Sequence, residues 1–270
     1  MNSNYKFSVP LIENYEAEYY FSYSPQKFEA KIFPPHVHDM LEFYVLIEGN
    51  VSFMVENEVY KLSSGDVIMS RPNEMHNCIL NSTSLHKHLC IWFNTSCSFL
   101  FFPFLSHEYG KGNLISPSQE DKQTLLALYQ RLKDASNIEN KKDQFITTLE
   151  ILNIYERSIK TNSFLSDIPL MLANILNDIN DNFTLIHSLQ TIIDKYFISH
   201  STLNRLFKQH LRTSPRMYLE TKKLAYSRML LKEGKSVLDA CMLSGFSDYS
   251  NYIRLFKSRF GITPKQYRDR

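Results

Sequence analysis

A pattern of eight residues recurs near the C-terminal end of this 270-residue chain, at an offset of 49 residues, with five of the eight positions identical. Residues 201–208 read Ser-Thr-Leu-Asn-Arg-Leu-Phe-Lys, and residues 250–257 read Ser-Asn-Tyr-Ile-Arg-Leu-Phe-Lys. Each copy is followed by a proline, Pro215 or Pro264, and by a tyrosine three residues later. Two matched units at a fixed separation suit a ligand that itself repeats, and the DNA major groove recurs about every 34 Å. The repeat therefore predicts a DNA-binding domain.

The charge of the chain is concentrated in the repeated part. From Phe183 onward there are 16 lysines and arginines against 6 aspartates and glutamates, a net charge of +10, whereas the preceding residues have 14 against 22, a net charge of −8. Such asymmetry is typical of a module that binds a polyanion, because cations offset phosphate repulsion and release condensed counterions. A solvated basic surface is the alternative interpretation, since charge alone specifies no fold.

The composition indicates a globular chain, with 43% hydrophobic and 13% aromatic residues. Because no apolar run approaches the roughly 18 residues of a membrane span, and the polar start lacks a signal-peptide pattern, we expect a cytoplasmic protein without membrane contact. The four cysteines have neither C-x-x-C nor zinc-ligand spacing, which favours free thiols. Nucleotide-binding glycine motifs are absent from the sequence, and we expect neither a cofactor nor enzymatic activity.

Short β-rich runs separated by turn residues dominate the N-terminal part of the chain. The runs lie at residues 43–47, 51–55, 59–62 and 67–69. Strands this short, with turns this frequent, are typical of an antiparallel sandwich or barrel. We predict an α+β fold of two domains, in which residues 1–115 form an antiparallel β-barrel.

After Pro117 the hydrophobic period changes from that of strands to that of helices. Three-to-four spacing predicts two amphipathic helices, which carry Leu125, Leu128 and Leu132 in the first and Phe145, Leu149, Leu152, Tyr155 and Ile159 in the second. The polar residues 160–163 predict a linker, so the helical segment covers residues 116–165. Its apolar stripes can pack on the barrel or pair between two chains, and we expect a homodimer.

Capping residues divide the last segment, residues 166–270, into helices. Ser199 precedes a predicted helix over residues 200–210. Ser214 and Thr263 each stand directly before a proline, which is typical of a first helical turn.

A long helix is predicted between the two repeats. It runs from Pro215 to Glu233, about 28 Å at the usual helical rise, and ends at Gly234. In the second unit, residues 236–243 predict a supporting helix and residues 248–259 a recognition helix, joined by a turn. This layout is that of a helix-turn-helix.

The second unit resembles the signature of AraC/XylS-type transcription regulators almost position for position. The matching residues lie at 236–241, 245–252, 254–257 and 260–268, and the resemblance extends over about residues 170–268. It implies an all-α domain of two helix-turn-helix units joined by a long helix, each unit placing one helix in adjacent major grooves of a promoter. It also implies RNA polymerase as a partner.

The first unit and the long helix depart from the family pattern. Ile193 stands where a small residue is usual, and Phe197 where the turn has glycine or a small polar residue. In the long helix, Lys223 replaces a common arginine and Ser227 a common alanine. A bulky turn residue can tilt the first recognition helix.

The resemblance also implies roles for individual side chains. The positions that read bases correspond to Ser201, Asn204, Arg205, Ser250, Asn251 and Arg254. Arginine can bind guanine bidentately and asparagine can do the same for adenine, which suits these roles. Phosphate contacts are expected from Lys208, Arg212, Lys257 and Arg259. An exposed salt bridge is the alternative role for each arginine. Cys241 is expected to be a buried thiol.

The N-terminal half resembles a cupin of the kind that serves as a sensor in this family. His36, His38 and Glu42 match the first cupin motif, and residues 65–76 match the second, with Asn73 in place of glycine. In metal-binding cupins these positions supply three histidines and a glutamate. We predict instead an effector pocket, formed by His36, His38, Glu42 and His76, for a small polar molecule. A metal site and purely structural histidines are the alternatives.

These features predict a sequence-specific transcription regulator whose binding to promoter DNA is modulated by a small polar effector in the N-terminal barrel. Two other functions remain open at this point. One is a metal-dependent cupin enzyme with an accessory basic domain, and the other is a nonspecific nucleic-acid binder.

Overall fold

The computed structural model describes residues 5–12, 15–24, 35–82, 85–94, 97, 100–105, 107, 110–159, 168–211 and 213–269. The predicted linker at residues 160–163 and the predicted phosphate contact Arg212 lie outside these ranges. None of the helices described is both long and apolar enough to span a bilayer. Two compact units are present. The N-terminal unit contains most of the strands and the first three helices, and the C-terminal unit contains the helices from Ile168 onward together with the described residues of the short segments 34–37 and 73–77.

The described strands form two sheets. Their bounds are β1 Tyr5–Ile12, β2 Tyr15–Ser24, β3 Leu41–Glu48, β4 Val51–Val55, β5 Glu58–Lys61, β6 Val67–Ser70, β7 His76–Leu80, β8 His86–Phe93 and β9 Leu114–Ile115. The order is β1-β2-β8-β3-β6-β9 in the six-stranded sheet and β5-β4-β7 in the three-stranded sheet. The four predicted runs are confirmed as β3 to β6. The predicted α+β class with antiparallel strands in the N-terminal part is confirmed, and the described strands form two sheets without a closed barrel among them.

Alternation of side chains explains how the six-stranded sheet divides its two faces. In β2, Ala17, Tyr19 and Phe21 are buried while Glu18 and Tyr20 are half-buried, which is the period of a strand. One face of the sheet packs on the two long helices of this unit through an apolar core. The other face packs against β4 and β5, in a second core that contains Tyr44, Phe53 and Tyr60.

Among the described residues, the N-terminal unit also contains three helices: α1 Phe102–Leu105, α2 Gln119–Asn137 and α3 Lys141–Ser158. The predicted buried stripe of α2 is confirmed, because Leu125, Leu128 and Leu132 are buried. The stripe of α3 is only partly as predicted, since Leu149 is 42% exposed and Thr148 lies in the core instead. Burial of the Thr148 hydroxyl is compensated by hydrogen bonds to the Tyr19 hydroxyl and to the Gln144 carbonyl oxygen, each of 2.7 Å.

In the residues that the structure describes, the C-terminal unit contains seven helices. They are α4 Leu170–Asn182, α5 Gln190–Tyr196, α6 His200–Leu211, α7 Pro215–Lys232, α8 Val237–Leu243, α9 Tyr249–Phe260 and α10 Pro264–Arg268. The predicted caps are present: Ser214 accepts a hydrogen bond from the Met217 amide at the start of α7, and Thr263 forms a capping box with Gln266. Gly234 follows α7 with φ +82°, the left-handed conformation that we predicted. The long helix and both helix-turn-helix units are thereby confirmed.

Candidate nucleic-acid interface and effector pocket

The two recognition helices, α6 and α9, bury equivalent residues of the repeat. Leu203 and Phe207 of α6 are fully buried, as are Tyr252 and Phe256 of α9, 49 residues further on. The ring of Phe207 packs edge-on against Tyr218 of α7, at 5.5 Å between centroids. Each helix therefore attaches to its unit through the same face and leaves the same opposite face for a ligand.

In α6, the three residues that the sequence predicts to read bases lie along one stretch of the helix. Arg205 and Ser201 are exposed, and Asn204 is half-buried. Ser201 Oγ lies 2.7 Å from Oγ of the capping residue Ser199, within hydrogen-bonding distance. Asn204 donates from Nδ2 to the carbonyl oxygen of His200 at 3.0 Å, which leaves its Oδ1 as an acceptor.

In α9, two of the three residues that are predicted to read bases contact each other. Arg254 and Ser250 are exposed, and Asn251 is half-buried. Nη2 of Arg254 donates to Oδ1 of Asn251 at 2.7 Å. Asp248 caps the helix by accepting from the Asn251 amide at 2.9 Å, which fixes the backbone beneath this pair.

The described residues predicted to contact phosphates differ in their surroundings. Lys208 and Lys257 are exposed and project from the last turns of α6 and α9. Arg259 is half-buried and donates from Nη2 to the Thr221 hydroxyl at 2.9 Å. Burial lowers the pKa of its guanidinium. Arg259 therefore also links α9 to α7, a role that the sequence did not indicate.

The turns of the two units use different residues at the left-handed position. Gly245 has φ +84°, and a Cβ there would lie 2.3 Å from the Thr184 carbonyl oxygen, so only glycine fits. Phe197 adopts the same region with φ 51° and ψ 43°, and its side chain is 95% exposed. Cys241, which lies in α8 close to the second turn, is buried as predicted. Burial raises the pKa of its thiol.

Sequence reasoning missed the role of two cations in α7. Arg228 places its guanidinium 4.7 Å from the ring centroid of Phe260 and 5.2 Å from that of Tyr267, tying α7 to the end of the second unit. Lys223 donates from Nζ to the carbonyl oxygens of Ile186, at 2.8 Å, and Gly245, at 2.7 Å. The only sequence signal was the departure of Lys223 from the family's arginine.

The four residues of the predicted effector pocket lie together. His36 and His76 pair through backbone hydrogen bonds of 3.0 Å in both directions, and their rings are 4.5 Å apart. His38 Nε2 lies 3.0 Å from Oε2 of Glu42. One ligand atom from each of the four side chains lies within 4.8 Å of the others.

Backbone and side-chain contacts orient this His-Glu cluster. Nδ1 of His38 lies 2.9 Å from the Met40 carbonyl oxygen, and Nδ1 of His76 lies 2.8 Å from that of Glu74, so Nε2 is the nitrogen of each ring that is left for a ligand of the cluster. Trp92 donates from Nε1 to Oε2 of Glu42 at 2.6 Å. Three histidine nitrogens and one carboxylate are a donor set that suits zinc or iron, and they equally suit hydrogen bonding to a polar ligand. The structure thus brings together every residue predicted for this pocket.

Asn73, which replaces glycine in the second cupin motif, has φ 64°. This is the left-handed conformation that we expected asparagine to tolerate.

A second polar group, not indicated by the sequence, lies on the inner face of the six-stranded sheet. Tyr44 Oη is 2.9 Å from His86 Nε2, and the ring of His88 stacks on both residues. Burial lowers the pKa of His86 to about 4, and that of His88 to about 3 with a smaller contribution from His86. Both imidazoles are therefore neutral near pH 7 and can donate or accept hydrogen bonds inside the unit.

Comparison with known proteins agrees with both halves of this description. A family model described as an AraC-like ligand binding domain matches residues 18–150, and one described as a helix-turn-helix domain matches residues 192–270. The chain is 24% identical to the HTH-type transcriptional activator RhaS of Enterobacter sp. (strain 638), over 91% of this chain and 92% of the relative. It is 26% identical to RhaS of Citrobacter koseri over 87% of each chain.

Among solved structures, ToxT from Vibrio cholerae O395 aligns over 96% of this chain and 98% of its own, with 16% identity and a TM-score of 0.39. The two family models together match most of the chain and occur in the order that the repeat and the cupin motifs predict. This chain belongs to the AraC/XylS family of transcription regulators.

Proposed function

We propose that the two helix-turn-helix units of this regulator bind adjacent major grooves of its promoter DNA. The observation that carries the proposal is the equivalent exposure of Arg205 and Arg254, which lie at the same point of two helices that bury Phe207 and Phe256. An exposed arginine in a helix of this type can bind O6 and N7 of guanine bidentately. The same arginine at both points argues against two unrelated surface salt bridges.

The remaining polar residues divide between base reading and positioning. Ser201, Asn204, Ser250 and Asn251 are assigned to base edges, and Lys208 and Lys257 to phosphates, because the lysines project from the far turns of their helices. Arg212 belongs with the lysines by its position in the sequence. Arg259 contributes a phosphate contact only through the part of its guanidinium that Thr221 does not hold.

Selection of oligonucleotides by the purified protein, followed by footprinting, tests this function. We expect one enriched motif and a protected stretch that spans two major grooves. The double variant Arg205→Ala/Arg254→Ala should lose preference for the motif but retain weak binding to any DNA, since the lysines remain. Protection of only half a turn, or equal affinity for scrambled competitor, would contradict the proposal and favour a nonspecific nucleic-acid binder.

We assign the binding of a small polar effector to the His-Glu cluster of His36, His38, Glu42 and His76. The support is that imidazoles oriented by backbone contacts and a buried carboxylate each offer one polar atom, all within 4.8 Å of one another. An effector alters promoter occupancy only if it binds one arrangement of the protein better than another, and the coupling is then reciprocal. DNA should therefore change effector affinity by the same factor.

Ligand screening by thermal shift tests the pocket. Compounds that raise the melting temperature of the wild-type protein should have no effect on His76→Ala, and should change DNA affinity. The matched control is His107→Ala, which removes an exposed histidine outside the cluster. An effector that binds tightly but leaves both DNA affinity and transcription unchanged would contradict the coupling.

One observation favours a second candidate function. Three histidines and one glutamate with converging ligand atoms fit the donor set of a divalent transition metal, which would supply a Lewis acid at this cluster. Elemental analysis of the purified protein distinguishes the two. A stoichiometric metal that is lost in His76→Ala, together with turnover of a substrate, would favour a metal-dependent cupin enzyme.

We further propose that the protein acts in the cytoplasm as a homodimer and contacts RNA polymerase at the promoter. Its segments are residues 1–115 for the effector, 116–165 for dimerisation and 166–270 for DNA. Support for the dimer comes from α3, where Ile146 and Leu149 are exposed on adjacent turns. Sedimentation should give a dimer for the wild-type protein and a monomer for Ile146→Lys/Leu149→Lys, and a wild-type monomer would contradict this assignment.

A further inference from the structure

A buried ammonium group in α7, that of Lys223, bonds to the backbone of both helix-turn-helix units. Lys223 is only 6% exposed, and its Nζ donates to two backbone carbonyl oxygens. One belongs to Ile186, in the segment that leads into α5 of the first unit. The other belongs to Gly245, in the turn between α8 and α9 of the second unit. Lys223 therefore connects elements that precede or carry both recognition helices.

Burial makes these two hydrogen bonds important to the geometry. An ammonium loses hydration on burial, which lowers the pKa of Lys223, and two close carbonyl oxygens compensate for the lost water. The Gly245 carbonyl lies just past the C-terminal end of α8, where carbonyl oxygens lack an intrahelical donor. Removing the ammonium would take this hydrogen-bond donor away from the carbonyl oxygens of Ile186 and Gly245.

Backbone contact at the same place shows that the spacing of the two units is narrowly set. A Cβ at Gly245 would lie 2.3 Å from the oxygen and 2.8 Å from the carbonyl carbon of Thr184, which precedes α5. The second turn thus touches the first unit backbone to backbone, beside the Lys223 bonds.

Beside Lys223, the two helix-turn-helix units leave space between them. A cleft of about 450 Å³ is lined by His187, Ser188 and Leu189 from the first unit and by Ser247, Asp248 and Asn251 from the second. Lys223 lies on its wall. Because packing is incomplete on this side, the hydrogen bonds of Lys223 carry more of the restraint than they would in a continuous core.

We propose that Lys223 is a positioning residue, which fixes the orientation of α6 relative to α9 and thereby the half-site spacing that the protein accepts. The inference rests on the proposed function, in which both units bind DNA at once. Lysine at this point donates to two carbonyl oxygens that lie on either side of it, a task that arginine can also perform with its five donors.

Binding of the full-length protein to operators of altered spacing tests the proposal. The selected operator is compared with versions that carry one or two base pairs more, or fewer, between the half-sites. The wild-type protein should strongly prefer the selected spacing. In Lys223→Met the affinity for that spacing should fall about tenfold, since two buried acceptors lose their donor, while altered spacings lose less. The preference ratio should therefore fall, and Lys223→Arg should restore it.

Lys222→Met is the matched control. Lys222 is the adjacent buried lysine, 8% exposed, and its Nζ bonds Oδ1 of Asn180 in α4 of the first unit. This variant should keep the wild-type spacing preference. An equal loss of preference in both lysine variants would overturn the proposal, because the effect would then come from burying methionine in α7.

Gly245→Ala provides a test that does not depend on the folding of Lys223→Met. The added methyl forces apart the backbones of Gly245 and Thr184, so the preferred spacing should change. If folded Gly245→Ala and Lys223→Met both keep the wild-type spacing preference, the proposal is wrong. A wild-type footprint over one groove alone would instead show that the proposed function itself has failed.

Discussion

In α9, Arg254 donates from Nη2 to Oδ1 of Asn251 at 2.7 Å, so two residues assigned to base reading hold each other on one face of the helix. The bond occupies the oxygen that Asn251 would need for bidentate contact with adenine, because that contact uses both Oδ1 and Nδ2. The other donors of Arg254 remain for guanine. We infer that Asn251 orients Arg254 as long as this bond persists.

Replacing Arg254 with alanine should therefore weaken binding to the selected operator by about 1–3 kcal/mol and relax specificity at one base pair. Competition binding with operators that carry single base substitutions measures both effects. Arg254→Lys should not restore specificity, since an ammonium lacks the planar fork of donors. A uniform loss across all sequences would show that Arg254 contacts phosphate instead.

Replacing Lys257 with alanine should weaken binding to every sequence alike. The exposed ammonium at the end of α9 neutralises one phosphate, and loss of one such contact reduces the slope of log K against log salt by about 0.9. Dissociation constants measured over a range of salt concentrations, on selected and scrambled DNA, give this slope. Loss of specificity without a change in slope would reverse the roles assigned to Lys257 and Arg254.

Local features of this chain could be predicted from its sequence, and features that depend on distant partners could not. The cap of α7 lies within one turn, because Ser214 bonds an amide three residues later. The burial of Thr148, by contrast, depends on Tyr19, 129 residues away. The division into two sheets likewise depends on strand pairings between distant segments, such as β3 with β8.

The candidate sites follow the same rule. The motif spacing identified the four residues of the His-Glu cluster, and the structure brings them together. The partners of Lys223 were not predictable, because a single lysine in a helix gives no signal of two carbonyl oxygens, 37 and 22 residues away along the chain.

Replacing Phe197 with glycine should stabilise the C-terminal unit by about 1 kcal/mol. Phe197 is held at φ 51°, a region that costs a side chain with a Cβ roughly this much, and its exposed ring contributes little burial. Urea unfolding followed by circular dichroism measures the change. Ile198→Gly is the control, because that neighbouring residue has no left-handed φ and should be destabilised by the greater freedom of glycine. A less stable Phe197→Gly would mean that the ring has a packing role.

The N-terminal unit should lose stability as the pH falls from about 6.5 to about 4. Burial holds the pKa of His86 at about 4 in the folded chain, while the unfolded chain binds the proton near pH 6.5. Between these values the unfolded state binds more protons, so the free energy of unfolding decreases as the pH falls, for His86 by on the order of 3 kcal/mol. Below pH 4 this contribution no longer changes.

Trp92, the one tryptophan of the chain, lies in β8 of the N-terminal unit, so its fluorescence can follow denaturant unfolding at each pH. His86→Gln keeps a polar partner for Tyr44 and should flatten the dependence, whereas His187→Gln, which changes an exposed histidine of the C-terminal unit, should leave it unchanged. An unaltered slope in His86→Gln would show that other groups produce the acid sensitivity.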